Sequence, residues 1–429
     1  MVGRAGSAWR PTAALVRAAV AGPVMAMAAV LLGQPVLLVL AAPLLLSALA
    51  GLIGRPTREP VVDTTSAERV LPEGSGSMLR ATVTGDGLEQ VTRVLAPVAL
   101  VASQPVAGAV STSPHDRADH VEVDVAVSPR RWGRPDVGVG LIAATSRWGG
   151  YRWGPVPTPA RRLTVLPAPL PFDTRAETPR PIGLVGANRS RHNGEGTEFS
   201  GIRRFQAGDR LRRIHWRTSL RTGELHTITT TAEQDSEVVL LVDAIADLGA
   251  SGGVDGAASS LDTGVRAAGA LAEHHLRIGN RVGLRVLGGA GQVLRPSAGS
   301  RQQRRILETL AAVVPDPMEP IGRLRLGVGA GTTVLALSPL LARMVTTTLV
   351  ELANRGLSVV AIDTLPTSRP TDMSGEGLAW RLRLVERQLE LVELARVGIP
   401  VVTWRGPGTL DEVMRRLARR PQLPRAALR

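Results

Sequence analysis

The amino-acid sequence predicts an α/β protein: a doubly wound, mostly parallel sheet preceded by a transmembrane helical hairpin and a small β-sandwich domain. Three observations predict this order. Two long apolar runs lie near the amino terminus, short runs of alternating polarity follow, and continuous apolar strands then alternate with amphipathic helices. The chain has 429 residues, of which 44% are hydrophobic, and this is enough for two or three packed domains.

Composition excludes several kinds of site. The chain has no cysteine, and all 51 of its basic side chains are arginines because lysine is absent. Zinc–thiolate sites, iron–sulfur clusters, cysteine nucleophiles, Schiff-base lysines and Walker-type phosphate loops are therefore excluded. The net charge of +14 would also arise from translation of a GC-rich genome. Acids are mixed with the arginines and no recognition motif is present, which argues against nucleic acid as a partner.

The first predicted element is an apolar helical hairpin over residues 18–54, after a basic segment over residues 1–17. The run Val36–Ile53 is long enough to cross about 30 Å of hydrocarbon, whereas Ala18–Leu32 is long enough only if its helix extends back past Arg17. Arginines flank the pair but not its connecting turn, so both ends are expected in the cytoplasm. We therefore predict a multi-pass cell-membrane protein with a cytoplasmic carboxyl-terminal region. A cleaved signal peptide and a buried soluble hairpin are the alternatives.

The region after the hairpin is predicted to contain a linker, a β-domain and a connector. Residues 55–77 are polar and contain prolines, as is typical of a linker. A β-sandwich is predicted over residues 78–166, because its apolar runs are short and every second residue of His120–Val127 is valine. Its other predicted strands are Leu79–Val83, Val91–Val101 and Val137–Ala143. A proline- and glycine-rich connector is predicted over residues 167–193.

Residues 237–429 are predicted to form the main α/β domain. The predicted strands are Glu237–Asp243, Arg281–Leu287, Gln292–Leu294, Thr332–Leu337, Leu357–Asp363 and Ile399–Trp404. The predicted helices are Asp262–Ile278, with Asp262 as its cap, Ser300–Val313, Leu340–Arg355, Leu378–Val397 and Leu410–Arg420. A glycine-rich turn at 288–291 sends one strand back antiparallel beside an otherwise parallel sheet. This arrangement is typical of von Willebrand factor A domains rather than of a plain dinucleotide-binding fold.

Residues 194–236 form a β-extension that contains a distinctive pattern. It reads Glu-Phe, then Arg-x-Phe, then Gly-Asp-x-x-Arg-x-Ile-x-Trp, and then a further arginine. The residues of this pattern are Glu198, Phe199, Arg203, Phe205, Gly208, Asp209, Arg212, Ile214, Trp216 and Arg221. The pattern closely resembles the signature of the family called domain of unknown function 58. The order of membrane hairpin, β-domain, signature and von Willebrand factor A-like domain is also similar to that family.

This resemblance implies a scaffold or adaptor rather than an enzyme. Family members are often encoded beside MoxR-type AAA+ ATPases, so the implied protein partner is such an ATPase, and no catalytic residue or cofactor is implied. We therefore expect a membrane-anchored, non-enzymatic protein that presents a von Willebrand factor A-like domain for protein–protein interaction. The alternative is a magnesium-dependent, adhesion-type ligand-binding domain that uses Asp243.

The arginines of the signature allow two interpretations. Seven arginines lie between residues 203 and 221, and Gly208 with Asp209 predicts a turn between two strands. An exposed patch of guanidinium groups would bind a carboxylate-rich partner or a phosphate. An internal lattice, in which Arg212 donates to Asp209 and Arg203 donates to Glu198, would instead fasten the segment to the domain.

A magnesium site is the remaining candidate. The first-strand motif of metal-binding von Willebrand factor A domains is Asp-x-Ser-x-Ser, and here the strand ends in Asp243-Ala-Ile-Ala-Asp247. Ile245 supplies no oxygen, and Ser338 stands after a later strand where an aspartate is expected. Asp243, Asp247 and Ser338 are the candidate ligands because Mg²⁺ requires oxygen donors. Local capping or pairing by Asp243 is the alternative.

Overall fold

The computed structural model consists of two units. One contains residues 1–168 with 252–256, and the other contains residues 169–251 with 257–429. The residues that the structure describes are 8–106, 110–112, 120–168, 193–194, 198–206, 209, 211–231, 237–288, 291–316, 332–366, 376–406 and 408–409.

The amino-terminal unit begins with the helical hairpin. Its helices are α1 (Ala13–Leu32) and α2 (Pro35–Ile53). The hydroxyl of Thr12 caps α1 by accepting a hydrogen bond from the N–H of Leu15, and Gly33 ends the helix with a φ of 56°. A helical hairpin is thus confirmed, and α1 extends back past Arg17 as a membrane span would require. Both helices are long and apolar enough to cross a membrane.

The rest of this unit consists mainly of antiparallel strands. They are β1 (Arg10–Pro11), β2 (Val61–Ser66), β3 (Val70–Pro72), β4 (Ser77–Thr84), β5 (Leu88–Leu95), β6 (Val101–Gln104), β7 (Val110–Thr112), β8 (His120–Pro129), β9 (Asp136–Val137), β10 (Gly140–Ser146), β11 (Tyr151–Thr158), β12 (Arg161–Arg162) and β13 (Thr164–Leu166). A five-stranded sheet has the order β1-β11-β10-β5-β7, and a four-stranded sheet has the order β2-β4-β8-β6. Val83 and Val123 of one sheet share a buried cluster with Val91 and Ile142 of the other.

Two predictions for this unit are wrong. The predicted linker 55–77 contains β2 and β3, and β2 pairs with β4 along its whole length. The alternating pattern there is short and lies between prolines, so it resembled a linker. The predicted strand Val91–Val101 is interrupted, since β5 ends at Leu95. Pro97 lacks the N–H group that a strand needs to continue its ladder.

The carboxyl-terminal unit contains the parallel sheet. Its strands are β14 (Asn193–Gly194), β15 (Glu198–Arg204), β16 (His226–Thr231), β17 (Glu237–Asp243), β18 (Arg281–Leu287), β19 (Val293–Ser297), β20 (Thr333–Ser338), β21 (Ser358–Asp363) and β22 (Val401–Thr403). Its helices are α3 (Trp216–Thr222), α4 (Ser260–Arg277), α5 (Ser300–Leu310), α6 (Arg343–Asn354) and α7 (Glu376–Arg396). The main sheet has the order β19-β18-β17-β20-β21-β22. Only β19 is antiparallel among these six strands, which confirms the predicted mostly parallel sheet with one reversed strand.

The beginning of α4 differs from the prediction. Ser259 caps the helix, and Asp262 occupies the third helical position. The two residues form a capping box, in which Asp262 N–H donates to the Ser259 hydroxyl at 3.1 Å and Ser259 N–H donates back to the Asp262 carboxylate at 3.3 Å. Asp262 was therefore misplaced as the cap by three residues. The predicted last helix, 410–420, lies outside the described residues.

Candidate functional site: the signature segment and the sheet edge

Strands β15 and β16 form the frame of the signature segment, which we define as residues 198–231. The two strands pair antiparallel, with Arg203 opposite Thr227. A single 3-10 turn (Leu211–Arg213) and helix α3 connect them. The predicted strand after Asp209 is therefore wrong. Local capping explains the helix: the His215 ring accepts from Thr218 N–H, and Gly223, with a φ of 75°, ends α3.

An ion pair closes the loop between the two strands. Arg203 donates from both terminal nitrogens to the two carboxylate oxygens of Asp209, at 2.8 and 2.6 Å. Gln206 N–H also donates to this carboxylate, at 2.9 Å. The guanidinium of Arg203 and then this backbone hydrogen bond hold the pKa of Asp209 below its ordinary value of 3.8. The predicted pairing of Asp209 with Arg212 is corrected, because Arg203 is the donor.

The other signature residues divide between the inside and the outside of the segment. Ile214 is buried and bridges Thr227 of β16. Phe205 N–H donates to the Leu225 carbonyl at 2.8 Å, which continues the β15–β16 frame. Glu198 and Phe199 lie in β15, and their side chains and Gly208 are outside the described part of the chain.

The exposed side chains of the 3-10 turn and of α3 are apolar and basic. Trp216 is 60% exposed and Leu220 is 82% exposed, and the two side chains are neighbours because they lie four residues apart on α3. Leu211 is also exposed. Arg212, Arg217 and Arg221 lie on the same short stretch and are exposed. We call Leu211, Arg212, Trp216, Arg217, Leu220 and Arg221 the signature face. Leu211 and Leu220 are not part of the sequence pattern, and only Leu220 could have been indicated by helical spacing, four residues after Trp216 on α3.

The second candidate site lies at the carboxyl edge of the main sheet. Asp243 ends β17, and its carboxylate accepts from the Ser338 hydroxyl at 2.5 Å and from Ile245 N–H at 3.1 Å. Asp243 is only 5% exposed. Burial raises its pKa, although the hydrogen bonds from Ser338 and Ile245 oppose that shift. The structure thus brings Asp243 and Ser338 together.

The third magnesium candidate, Asp247, accepts a hydrogen bond from Leu261 N–H at 3.1 Å, in the first turn of α4. Within the described residues, no group of three or more histidine, cysteine, aspartate or glutamate side chains is placed to hold a metal ion. Serine oxygens are not among these side chains, so the magnesium site formed by Asp243, Asp247 and Ser338 stays a prediction.

A further ion pair at this edge was not predicted. Asp363 ends β21, where it lies in register with Ser338, and its carboxylate is 2.6 Å from Nη2 of Arg387 on α7. Arg387 Nε also donates to the Pro339 carbonyl at 2.8 Å. Both side chains are nearly buried. Sequence alone gives little indication of this pair, because its two residues lie on different elements.

The fold and these sites define a mixed α/β protein, with two candidate membrane helices and a mostly parallel sheet that follows a signature segment. Residues 201–364 match the family described as "Protein of unknown function DUF58". The chain therefore carries a DUF58 domain, which confirms the resemblance of the signature over residues 201–364.

Relatives of the chain include uncharacterized proteins of Mycobacterium bovis and of two strains of Mycobacterium tuberculosis. Each is 30% identical to this chain over 138 residues. That stretch is 32% of this chain and 43% of the relative, so the match spans less than half of each relative's length.

Proposed function

We propose that this protein is a membrane-anchored, non-enzymatic scaffold whose signature face binds an acidic protein partner. The observation that carries the proposal is the exposed combination of Trp216 and Leu220 with Arg212, Arg217 and Arg221. Exposed tryptophan and arginine are the side chains that most often dominate the binding energy of protein interfaces. Guanidinium groups around them favour carboxylates on the partner.

The internal ion pair of the segment supports a proposal in which some of its arginines hold the segment together and others bind the partner. Arg203 already pairs with Asp209 and holds the loop, so its charge is used within the segment. Arg212 and Arg221 lie on the exposed side of the same loop and helix, where a partner could reach them. Arg203 therefore fits the interpretation as an internal lattice, whereas Arg212 and Arg221 fit the interpretation as an exposed patch.

Membrane anchoring is supported by the surface of the hairpin. Large apolar side chains such as Val24 and Leu31 on α1 and Leu46 and Ile53 on α2 are exposed. A soluble protein rarely exposes so large an apolar surface. At about 1.5 Å per residue, α1 and α2 each span about 30 Å, the thickness of the hydrocarbon core.

A tryptophan at the base of the hairpin adds to this support. Trp148 is 74% exposed and lies in the turn between β10 and β11. This turn lies against the end of α2, because a Cβ atom on Gly150 would be 3.1 Å from the Gly51 Cα atom. Arg55 and Arg152 are exposed at the same end. Tryptophan and arginine at the end of a membrane helix are typical of the cytoplasmic headgroup region.

The family resemblance narrows the partner to a MoxR-type AAA+ ATPase. We further propose that the two antiparallel sheets act as a sandwich-like spacer and that the main sheet is a von Willebrand factor A-like domain. The strand order, with one antiparallel edge strand β19, supports this second assignment.

Binding of the full-length protein in detergent micelles to a MoxR-type ATPase from the same organism tests the partner proposal. We expect the double variant Trp216→Ala/Arg221→Glu to bind at least about tenfold more weakly, as for a central interface residue. The matched control is Arg304→Glu, an exposed helix position on α5. Unchanged binding by the double variant, or equal loss in the control, would show that the signature face is not the binding surface.

Membrane anchoring has a separate readout. After cell lysis and extraction of the membranes with alkaline carbonate, we expect the full chain to stay in the pellet. Deletion of residues 8–54 should release the chain into the supernatant, whereas Trp216→Ala/Arg221→Glu should leave it in the pellet. Extraction of the full chain by carbonate would contradict the anchoring proposal without affecting the partner proposal.

A magnesium-dependent binding domain is the second candidate function. The observation that favours it is the buried carboxylate of Asp243, 2.5 Å from the Ser338 hydroxyl at the carboxyl edge of a parallel sheet. A rise in the melting temperature with Mg²⁺ that Asp243→Asn abolishes is the result expected of such a domain.

A further inference from the structure

Helix α7 has apolar side chains on two opposite faces. One face packs on the sheet: Leu394 is fully buried and Leu391 lies against the same core. The other face carries five apolar side chains that are 43–67% exposed, namely Leu378, Leu382, Val385, Leu389 and Val392. We call these five residues the α7 stripe. A surface helix that only covers a core would carry polar residues there, so the stripe indicates a contact beyond those that the described residues of the chain make.

The spacing of the stripe is that of a coiled-coil seam. Its residues follow one another at intervals of four, three, four and three, which averages 3.5 residues per turn. Leu382 and Leu389 therefore occupy the first position (a) of successive heptads, and Val385 and Val392 occupy the fourth position (d). Because the opposite face of α7 packs on the sheet, only one further helix can pack along the stripe.

Charges beside the stripe select the partner helix and its direction. Arg381 precedes the first a position and Glu386 follows the d position at Val385, and both side chains are exposed. In a parallel pair of identical helices, Arg381 of one copy would face Glu386 of the other. In an antiparallel pair, Glu386 and Glu393 would instead face the same carboxylates of the second copy, which is repulsive. Glu386 is also 3.2 Å from Arg383 of its own helix, and this contact leaves its carboxylate largely exposed.

We propose that the α7 stripe is a homodimer interface, in which α7 of a second copy of this chain packs parallel to it. The contact spans two heptads and is therefore smaller than the interfaces of permanent dimers. Pairing then depends on a high local concentration of the chain, such as confinement to a surface provides. This inference is independent of the partner proposed for the signature face, since it concerns a different element.

The absence of cysteine from the chain allows a direct test. We expect full-length Val385→Cys, in membranes treated with copper–phenanthroline, to form a disulfide-linked dimer, because identical d positions face each other only in a parallel, in-register pair. The matched control is Arg305→Cys on α5, an exposed helix position outside the stripe. The dimer band of Val385→Cys should be at least about ten times stronger than that of the control.

A second substitution separates specific pairing from random collision. Leu382→Glu is exposed, so the melting temperature should change little, while the cross-link through Val385→Cys should be lost. A cross-link that survives Leu382→Glu, or that is equally strong in the Arg305→Cys control, would overturn the proposal. Absence of any Val385→Cys dimer would also overturn it. Cross-linking only in mixtures of Leu382→Cys with Val392→Cys, which would join an a position to a d position, would indicate an antiparallel pair and would overturn the parallel arrangement.

Discussion

Asp209 of the signature segment and Asp243 at the carboxyl edge of the main sheet are held in opposite ways. Asp209 receives two hydrogen bonds from Arg203, and its pKa is lowered. Asp243 receives hydrogen bonds from a hydroxyl and a backbone N–H, and burial raises its pKa. The two carboxylates therefore have opposite effects: ionisation of Asp209 stabilises the folded chain, whereas ionisation of Asp243 destabilises it.

This difference is relevant to function. An ionised, paired carboxylate keeps the loop in place and leaves the neighbouring Trp216 and Arg221 available at the surface. A buried carboxylate without full charge compensation is instead typical of positions that bind a proton, a cation or a ligand.

The largest effect is expected at the sheet edge, from the loss of Arg387. Arg387→Met removes the cation that pairs with Asp363 and leaves a nearly buried carboxylate without a countercharge, although the Leu365 N–H still donates to it at 3.0 Å. Breaking a buried pair in this way costs about 3–5 kcal/mol. Denaturant unfolding should show a lower free energy of unfolding, and Arg387→Met/Asp363→Asn should recover part of the loss. The exposed pair Arg304–Glu308 provides the control, since Arg304→Met should cost no more than about 0.5 kcal/mol. Equal losses in both single variants would contradict the assignment.

Another buried titratable side chain, His275, also makes the stability of this unit depend on pH. His275 lies within α4, and burial, with a smaller contribution from His274, lowers its pKa from 6.5 to about 3. Below pH 6.5 the unfolded chain binds a proton that the folded chain does not, so stability falls as the pH is lowered from 6.5 towards 3.

At pH 5 the loss from His275 is about 2 kcal/mol, from a limiting slope of about 1.4 kcal/mol per pH unit. His275→Gln keeps an acceptor for the side chain of Asn280, which lies 3.0 Å from the His275 ring. Thermal unfolding between pH 5 and pH 7 should therefore show a shallower pH dependence in the variant. An unchanged slope would assign the acid sensitivity to other groups.

A smaller change of opposite sign is expected for Asp243→Asn. Because the folded state raises the pKa of Asp243, the wild type loses stability as the pH rises through that pKa, and an amide does not. At pH 8 the variant should therefore melt at a higher temperature than the wild type. The difference should disappear as the pH falls.

The same melting experiment, with Mg²⁺ added, tests the second candidate function, a magnesium-dependent binding domain. If Asp243 holds Mg²⁺, millimolar Mg²⁺ should raise the melting temperature of the wild type and not of Asp243→Asn. Ser338→Ala, which removes the hydroxyl on Asp243, should then reduce the effect. An equal response of the wild type and Asp243→Asn would exclude a metal at this edge.

The smallest change in global stability is expected for Asp209→Asn. The pair with Arg203 is partly exposed, so its loss should leave the melting temperature of the main sheet nearly unchanged. Hydrogen exchange at Gln206 N–H should become faster at neutral pH, because the donor loses a charged acceptor. In the wild type, the same loss of protection, measured relative to the intrinsic exchange rate at each pH, should appear only when the pH falls through the lowered pKa of Asp209, below 3.8. Loss of partner binding without faster exchange would indicate that Asp209 contacts the partner directly.

Local patterns predicted much of the fold. A continuous apolar run predicted strand β17 with its observed bounds, Glu237–Asp243, and the glycine-rich turn predicted the reversed strand beside β18. The hairpin was also predictable, since long apolar runs have few alternatives to helix. The α3 region was not predictable, because apolar and polar residues alternate after Asp209 as they do in a strand. Only the capping residues His215 and Gly223 indicate a helix there.

The sequence by itself therefore determined the order of the hairpin, the antiparallel strands and the mostly parallel sheet, the two candidate membrane helices and the signature that matches the DUF58 family. Tertiary structure alone decided which charged and apolar side chains are paired. Ser338 reaches Asp243 across 95 residues of chain, and Arg387 meets Asp363 from another element. Periodicity reports the faces of one helix or strand, whereas a contact between elements depends on register and packing that no local pattern encodes. The same reason explains why only the fold reveals that the α7 stripe faces outward.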